Sequence, residues 1–379
     1  MLKHHKPWRL ATLAAAGTMA FAGVVGCGSS DEGGSGSSKS SGSGDAPKGK
    51  VGVILPDAAS SPRWESFDRK YLGEAFKSAG VEYDIQNANG DKAKFATIAD
   101  QMINGGVSVL AIVNLDSPSA ATVIKKAKDQ GIPVIDYDRL TLGGGADYYV
   151  SFDNVAVGTA QGEGLVECMK AEGNDSGPVA LLNGSPTDNN ATLFKQGYEK
   201  AIKDAGYSVA ADQSVPDWDN TKAGTIFEQM YTKANGNFVG VAAANDGLGG
   251  AVAAVLKRNG DTAKIPTTGQ DATTEGLQRV LTGSQCMTVY KAVKKEAAAV
   301  SELAVDLLKQ DKGAADQLAS GTTKDSESGQ DVKSVLLQPE KILKGDVKKV
   351  VDDGFVEASD LCSTAALKKA CSEQGISAG

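Results

Sequence analysis

From residue 51 onward the chain alternates short β-rich runs with longer helical stretches, and this alternation limits the fold more than any other feature. Residues 51–55, 81–86, 107–113 and 132–136 are continuous or nearly continuous apolar runs, the pattern of strands buried on both faces. Between them, residues 64–79, 92–104 and 118–130 read as helices, several closed by Gly at the C-terminal position. The pattern predicts a parallel sheet built of βαβ units. It restarts after 148–152, with strands at 179–183, 207–211, 238–244 and near 265–268, and helices at 155–172, 191–205, 221–234, 246–259 and 273–282. Two similar α/β lobes follow one another. A strand at 286–290, a long helix at 291–310, a polar stretch at 311–333 and a last strand at 335–337 come after both lobes are built. The chain is therefore expected to cross between lobes more than once, making a hinge.

Ligands of open α/β sheets bind beyond the carboxyl ends of the strands. Polar and aromatic residues cluster at those ends: Arg63 and Trp64, Asp138 and Arg139, Asp188 to Asn190, Asn245 and Asp246, and Gln270 and Asp271. Taken singly, Asp138-Arg139 reads as a surface ion pair, and Asp188-Asn189-Asn190 as a turn before a helix cap. Five such clusters from both lobes instead mark a cleft. The two tryptophans beyond the N-terminal segment, Trp64 and Trp218, stand one per lobe beside these clusters. Carboxylates, amides and guanidinium groups match the forked geometry of adjacent hydroxyls, and an indole face covers C–H bonds, so this composition suits a monosaccharide. No G-x-G-x-x-G opens the helix after the first strand and no G-x-x-x-x-G-K-[ST] occurs, so a phosphate cradle is not expected.

The first residues carry Lys3, Lys6 and Arg9, and from Leu10 the chain is apolar or small for about sixteen residues, as in a secretory signal and too short for a comfortable permanent span. Val24-Val25-Gly26-Cys27 resembles the lipobox of bacterial lipoproteins, with Val24 in place of the more usual leucine. Cys27 is then the lipidated residue. Each buried methylene of its acyl chains would contribute ~0.8 kcal/mol of membrane affinity. Residues 28–50 are almost all Gly, Ser and charge, a flexible leash of about 25–30 Å root-mean-square reach.

With 39 basic against 47 acidic residues and a net charge of −8, nucleic acid is an unsuitable partner. The two histidines, His4 and His5, lie in the signal. A Ser-His-Asp relay and a His-bearing metal site are thereby excluded, whereas carboxylate-based glycoside hydrolysis is not. No cofactor is expected. Besides Cys27 there are four cysteines, Cys168, Cys286, Cys362 and Cys371. They suggest two disulfides with three connectivities open. Cys362 with Cys371, closing a short loop, and Cys168 with Cys286 is the favoured reading; buried free thiols are the alternative.

The motifs Arg63-Trp64, Tyr137-Asp138-Arg139, Ser151-Phe152-Asp153-Asn154, Gly184-Ser185-Pro186 with Asp188-Asn189-Asn190-Ala191, Asn245-Asp246, Gly269-Gln270-Asp271-Ala272 and Met287-Thr288-Val289-Tyr290-Lys291, taken in order, resemble the type I periplasmic binding protein family, in its branch serving bacterial ABC importers of D-xylose. The resemblance spans about residues 51 to 355. It implies two Rossmann-like lobes joined by three hinge strands, with Ser151 to Asn154 as the first hinge and Thr288 to Lys291 as the second. It implies that Arg63, Asp138, Arg139, Asp188, Asn190, Asn245, Asp271 and Lys291 bind sugar hydroxyls while Trp64 and Trp218 stack. The domains expected are a signal at 1–26, lipidated linker at 27–50, N-terminal lobe at 51–152 and 291–334, C-terminal lobe at 153–290 and 335–360, and a tail at 361–379. The implied protein is no enzyme but a monomeric, exported, lipid-anchored subunit on the outer face of the cytoplasmic membrane, serving a permease and its ATPase. A receptor that presents sugar or an autoinducer to a membrane sensor is the alternative. A sugar-sensing repressor of similar lobes lacks support, because no DNA-binding helices precede the first lobe.

Overall fold

A computed structural model describes residues 47–262 and 264–377. The signal, Cys27 and nearly all of the linker lie outside the described residues. The first lobe opens with β1 (Lys50–Leu55), α1 (Arg69–Ser78), β2 (Glu82–Asn87), α2 (Lys92–Asn104), β3 (Val109–Ile112), α3 (Ser117–Asp129), β4 (Val134–Tyr137) and β5 (Tyr148–Phe152). The second runs through α4 (Asn154–Ala171), β6 (Pro178–Asn183), α5 (Asn189–Asp204), β7 (Ser208–Ser214), α6 (Asn220–Lys233), β8 (Gly240–Ala243), α7 (Asp246–Asn259), α8 (Thr274–Thr282) and β9 (Met287–Tyr290). Then come α9 (Val293–Leu308), α10 (Lys312–Leu318), β10 (Gly321–Lys324), β11 (Asp331–Leu337), β12 (Glu340–Leu343), α11 (Val347–Asp352), α12 (Ala358–Leu361) and α13 (Ala365–Glu373).

The first sheet has seven strands in the order β10-β11-β5-β4-β3-β1-β2, parallel except for β10. The runs of β1, β3, β4 and β5 are buried on both faces, to which side chains point alternately along each strand, whereas β2, expected as a buried run, is the edge strand and stays partly exposed. Val51, Val53 and Leu55 pack with Leu72, Phe76, Val300 and Leu303, while Ile54 packs with Phe95, Ile98, Val123 and Ile124. The second lobe holds the parallel sheet β7-β6-β8, a bridge from Val241 to Thr267, and the antiparallel pair β9-β12. Helices start where an Asp, Asn or Thr side chain accepts first-turn amides, as at Asp91, Asp116, Asp153, Asp188, Asp219, Asn245 and Thr273, so caps and strand ends share one side of each sheet.

The chain passes between the two sets of strands three times: from β5 into α4, from β9 into α9, and from β11 into β12. This last crossing falls later than the sequence suggests. Residues 335–337 were expected in the second lobe, but the β11 ladder continues parallel to β5 as far as Leu337 opposite Phe152. The polar stretch before it contains α10 and the β10-β11 hairpin, whose outward positions are solvated, so an apolar pattern is missing. Near residue 267 there is a single bridge where a strand was expected.

The segment expected as a tail is folded. Thr364 Oγ1 caps α13 by accepting from Leu367 N at 3.2 Å, and Leu361, Leu367, Ala370 and Ile376 share a core with Leu277 and Val280 of α8. Cys362 is bonded to Cys371 and Cys168 to Cys286, with Cα separations of 6.2 and 6.4 Å, within the usual range for a disulfide. Among the described residues, no helix is long and apolar enough to cross a membrane.

Candidate functional site

The ten residues singled out in the sequence, Arg63, Trp64, Asp138, Arg139, Asp188, Asn190, Trp218, Asn245, Asp271 and Lys291, all line one narrow cavity between the lobes. Ser60, Ser61, Phe194 and Gln270 complete the wall. Gln270 was visible as a strand-end residue; the serines and Phe194 carry no distinguishing sequence signal. Asp246, the neighbour of Asn245, turns away. Its carboxylate accepts from Thr273 N, Thr288 Oγ1 and Gln285 Nε2 at 2.7–2.8 Å.

A π-helical turn, Trp64–Asp68, follows the first strand, a deviation often found at functional sites. It sets Arg63 against the base of the cleft. Arg63 Nε and Nη2 donate to the two oxygens of Asp68 at 2.9 and 2.7 Å, Nη1 donates to Asp138 Oδ2 at 2.9 Å, and Nη2 also reaches Glu296 Oε2 at 3.0 Å. The Tyr137 hydroxyl also donates to Asp68. Burial alone would depress the Arg63 guanidinium, but Asp68, Asp138 and Glu296 outweigh it and raise it well above its ordinary value. The charge is permanent. Arg63 Cζ sits over the Trp64 ring at 4.3 Å, and Trp64 Nε1 donates to Ser60 Oγ at 3.3 Å.

Asp138 follows β4 with φ of 60°, and its carbonyl accepts from Ser151 Oγ, Tyr149 OH and Asn190 Nδ2 at 2.8–3.0 Å. Burial pushes its carboxyl up, yet Arg63, Lys291 and Arg139 together hold it below the usual carboxylate range. It is an ionised acceptor. Trp218 and Asp271 also sit at positive φ, 54° and 92°. Such strain persists only where surroundings over-determine it, commonly at sites. For Trp218 the surroundings include Gly184, where a Cβ would fall 2.1 Å from the indole.

The second lobe presents mainly amides, an indole and capping carboxylates. Asp188 caps α5 through Asn190 N at 2.9 Å, and its other oxygen accepts from Trp218 Nε1 at 3.1 Å and is ion-paired with Arg139 Nε at 3.0 Å. Asn245 caps α7 with its oxygen and donates its amide to Ser60 O at 3.2 Å. Asp271 Oδ2 accepts from Ser61 Oγ at 3.0 Å, and Lys291 Nζ lies 3.1 Å from Oδ1 in an ion pair not aligned as a hydrogen bond. Gln270 Oε1 is buried without a partner. Bonds from Asp138, Arg139, Ser60 and Ser61 to the other lobe hold the cleft shut.

This geometry can bind hydroxyls but is poorly arranged for hydrolysing a glycoside, which requires a carboxylic acid to protonate the leaving oxygen. Of the three cleft carboxylates, Asp138 is held ionised, Asp188 has Arg139 on its oxygen, and Asp271 has Lys291. Among the described residues there is no cluster of three His, Cys, Asp or Glu able to hold a metal.

Two lobes, three crossings and a buried polar cleft at the carboxyl ends of the strands define a solute-binding protein of the closing-cleft kind. Residues 51–312 match the periplasmic binding protein domain, and the chain belongs to that family. It is 35% identical to the D-xylose-binding periplasmic protein of Escherichia coli over 82% of this chain and 92% of that protein. It is 30% identical to the multiple sugar-binding periplasmic receptor ChvE of Rhizobium radiobacter over 83% of this chain and 93% of the other. A solved solute-binding protein of Clostridium phytofermentans with bound β-D-glucose superimposes with a TM-score of 0.74 at 27% identity, covering 82% of this chain and 99% of that one.

Proposed function

We propose that this chain is the extracytoplasmic binding subunit of an ABC importer for a monosaccharide, with D-xylose or a closely related aldose as ligand, and that it captures the sugar without transforming it. The observation that carries this reading is the convergence of ten polar and aromatic side chains from both lobes on one cavity. A sugar leaving water must regain its hydroxyl hydrogen bonds and have its C–H faces covered. Asp138, Asp188 and Asp271 supply acceptors, Arg139, Lys291, Asn190 and Asn245 supply donors, and Trp64 and Trp218 supply apolar faces. A pentose of about ten non-hydrogen atoms has a binding ceiling near −15 kcal/mol, well beyond the ~−8 kcal/mol of a micromolar site. Noncovalent capture is sufficient.

Closure follows from the same contacts. Sugar bridging Asp138 and Arg139 on one lobe and Asn245 and Asp271 on the other meets its full set of partners only when the lobes are together, so binding shifts the population toward the closed form. That form docks on the permease, while Cys27, lipidated, keeps the protein beside it. The family's periplasmic members favour an exported protein. Calorimetry and tryptophan fluorescence against xylose, arabinose, ribose, glucose and galactose test the ligand; no response to any of them overturns the reading. Cys27→Ala tests the anchor, with loss of cell-surface retention expected. A second reading, a sugar receptor for a membrane sensor, is favoured by the likeness to a protein named as a receptor. Deleting the gene and finding sugar uptake intact but a sugar response lost would select it.

A further inference from the structure

Glu296 stands outside the cavity wall, in the first turn of α9, fully buried behind Arg63. Its Oε2 accepts from Arg63 Nη2 at 3.0 Å, and its Oε1 is buried with no partner. A guanidinium has five N–H donors. Asp68 takes two of Arg63's, Asp138 one and Glu296 one, which leaves a single Nη1 hydrogen for a ligand. Arg63 therefore contributes chiefly by holding Asp138 and covering Trp64.

The charges around the cleft do not balance if every group is ionised. Arg63, Arg139 and Lys291 face five carboxyls, Asp68, Asp138, Asp188, Asp271 and Glu296, all buried. A buried excess of two negative charges is costly enough that at least one carboxyl takes a proton. Four of the five have strong claims to the anionic form. Asp68 has Arg63 on both oxygens and the Tyr137 hydroxyl. Asp138 has Arg63, Lys291 and the Asn190 amide; Asp188 has Arg139, the Trp218 indole and a backbone amide; Asp271 has Lys291 and Ser61. Glu296 has a single donor, Arg63 Nη2, which it shares with Asp68, and its Oε1 has no hydrogen-bond partner, whereas the bare Oδ1 of Asp271 faces Lys291 at 3.1 Å.

We propose that Glu296 is a positioning residue that carries a proton in the working protein, and that as a neutral acid it completes the clamp on Arg63 without competing with Asp138 for positive charge. The groups facing it are Arg63 and Asp68 from the turn after β1, Tyr137 and Asp138 from β4, Tyr149 from β5, and Lys291 before α9; Lys294 and Lys295 on its own helix point to solvent. Burial first, then Asp138, raise its carboxyl well above the ordinary value, against the pull of Arg63 and Lys291. Deprotonation would set a second anion against Asp138 and draw Arg63 away from it. Sugar affinity then falls at alkaline pH.

The affinity arms of the test rest on the sugar-binding reading; the protonation arm does not. Carbon-13 carboxyl NMR of glutamate-labelled, ligand-free protein near pH 7 is expected to show one glutamate carboxyl at the protonated position, absent in Glu296→Gln. All glutamate carboxyls at ionised positions would overturn the proposal, and the wild-type spectrum alone decides this if the variant does not fold. In D-xylose calorimetry, Glu296→Gln is expected to stay within about threefold of wild type near neutral pH and to lose the alkaline fall, while Glu296→Ala binds about tenfold or more weakly through the lost bond to a charged group. Equal losses in the Gln and Ala variants, with wild-type folds, would also overturn it.

Discussion

The two walls of the cleft are built from different materials. On the first lobe, Asp68, Asp138 and Glu296 all close on Arg63 within 3.0 Å as one buried cluster. On the second, Asp188 and Asn245 are helix caps and Trp218 is an indole against a glycine, held within the lobe by backbone amides and packing, while the counter-charges Arg139 and Lys291 reach Asp188 and Asp271 from outside it. The first wall is set by mutual charge pairing inside one lobe, before the lobes meet. The second is set one residue at a time by local backbone geometry. Damage to the first should therefore spread through the lobe, and damage to the second should stay local.

The largest expected effect is on the ionic wall. Asp68→Ala strips Arg63 of two bonds and Tyr137 of its acceptor, leaving a buried charge short of partners, and should cost about 3–5 kcal/mol in urea-induced unfolding. A cost under about 1 kcal/mol would show the cluster to be no stronger than surface pairs and erase the contrast.

Each lobe also holds a buried carboxyl away from the cavity that burial raises to a similar degree, which permits a like-for-like comparison. Burial pushes Asp136 in β4 up to about 7 despite its bonds to Thr141, and Asp246 of α7 up to about 6 despite Arg279 and Gln285. A raised acid binds its proton more tightly in the folded protein, so each contribution to the unfolding free energy is complete below about pH 4 and is lost as pH rises through about 6 for Asp246 and about 7 for Asp136, by about 3 and about 4 kcal/mol respectively. Thermal unfolding between pH 4 and 8 should lose slope from about pH 4 up to about 6 in Asp246→Asn and from about pH 4 up to about 7 in Asp136→Asn. Unchanged profiles in both variants would assign the pH dependence elsewhere.

Gly184→Ala acts on the second wall alone. Its methyl would meet the Trp218 ring at 2.1 Å, costing about 1–3 kcal/mol of overpacking and displacing the indole from the cavity. Sugar affinity should fall together with a changed tryptophan emission. A wild-type emission spectrum would show that the indole has room to yield. Asn245→Ala is the mildest: losing the α7 cap and the bond to Ser60 O should cost about 1 kcal/mol of stability. A loss as large as that of Asp68→Ala would mean the second wall is as cooperative as the first.

Much of this architecture could be read before folding. The inner strands β1, β3, β4 and β5 of the first sheet are covered on both sides, so their apolar runs are unbroken, and the strand-end clusters followed from where each run stops. Glu296 was not readable, because Val293-Lys294-Lys295-Glu296 looks like any solvated first turn. Asp68 was hidden in the same way, since its partners are Arg63 five residues before it and Tyr137 far along the chain. Edge strands such as β10 and β12 are half solvated and short, and they leave no clear period.

Sequence alone determined the two α/β lobes and which residue types gather at the strand ends, because periodicity and capping are local. Tertiary structure alone decided that the third crossing falls after Leu337, that α13 seals against α8, and that five carboxyls share three cations around one cleft. Charge balance is a property of residues brought together from distant parts of the chain, and no window of sequence contains it.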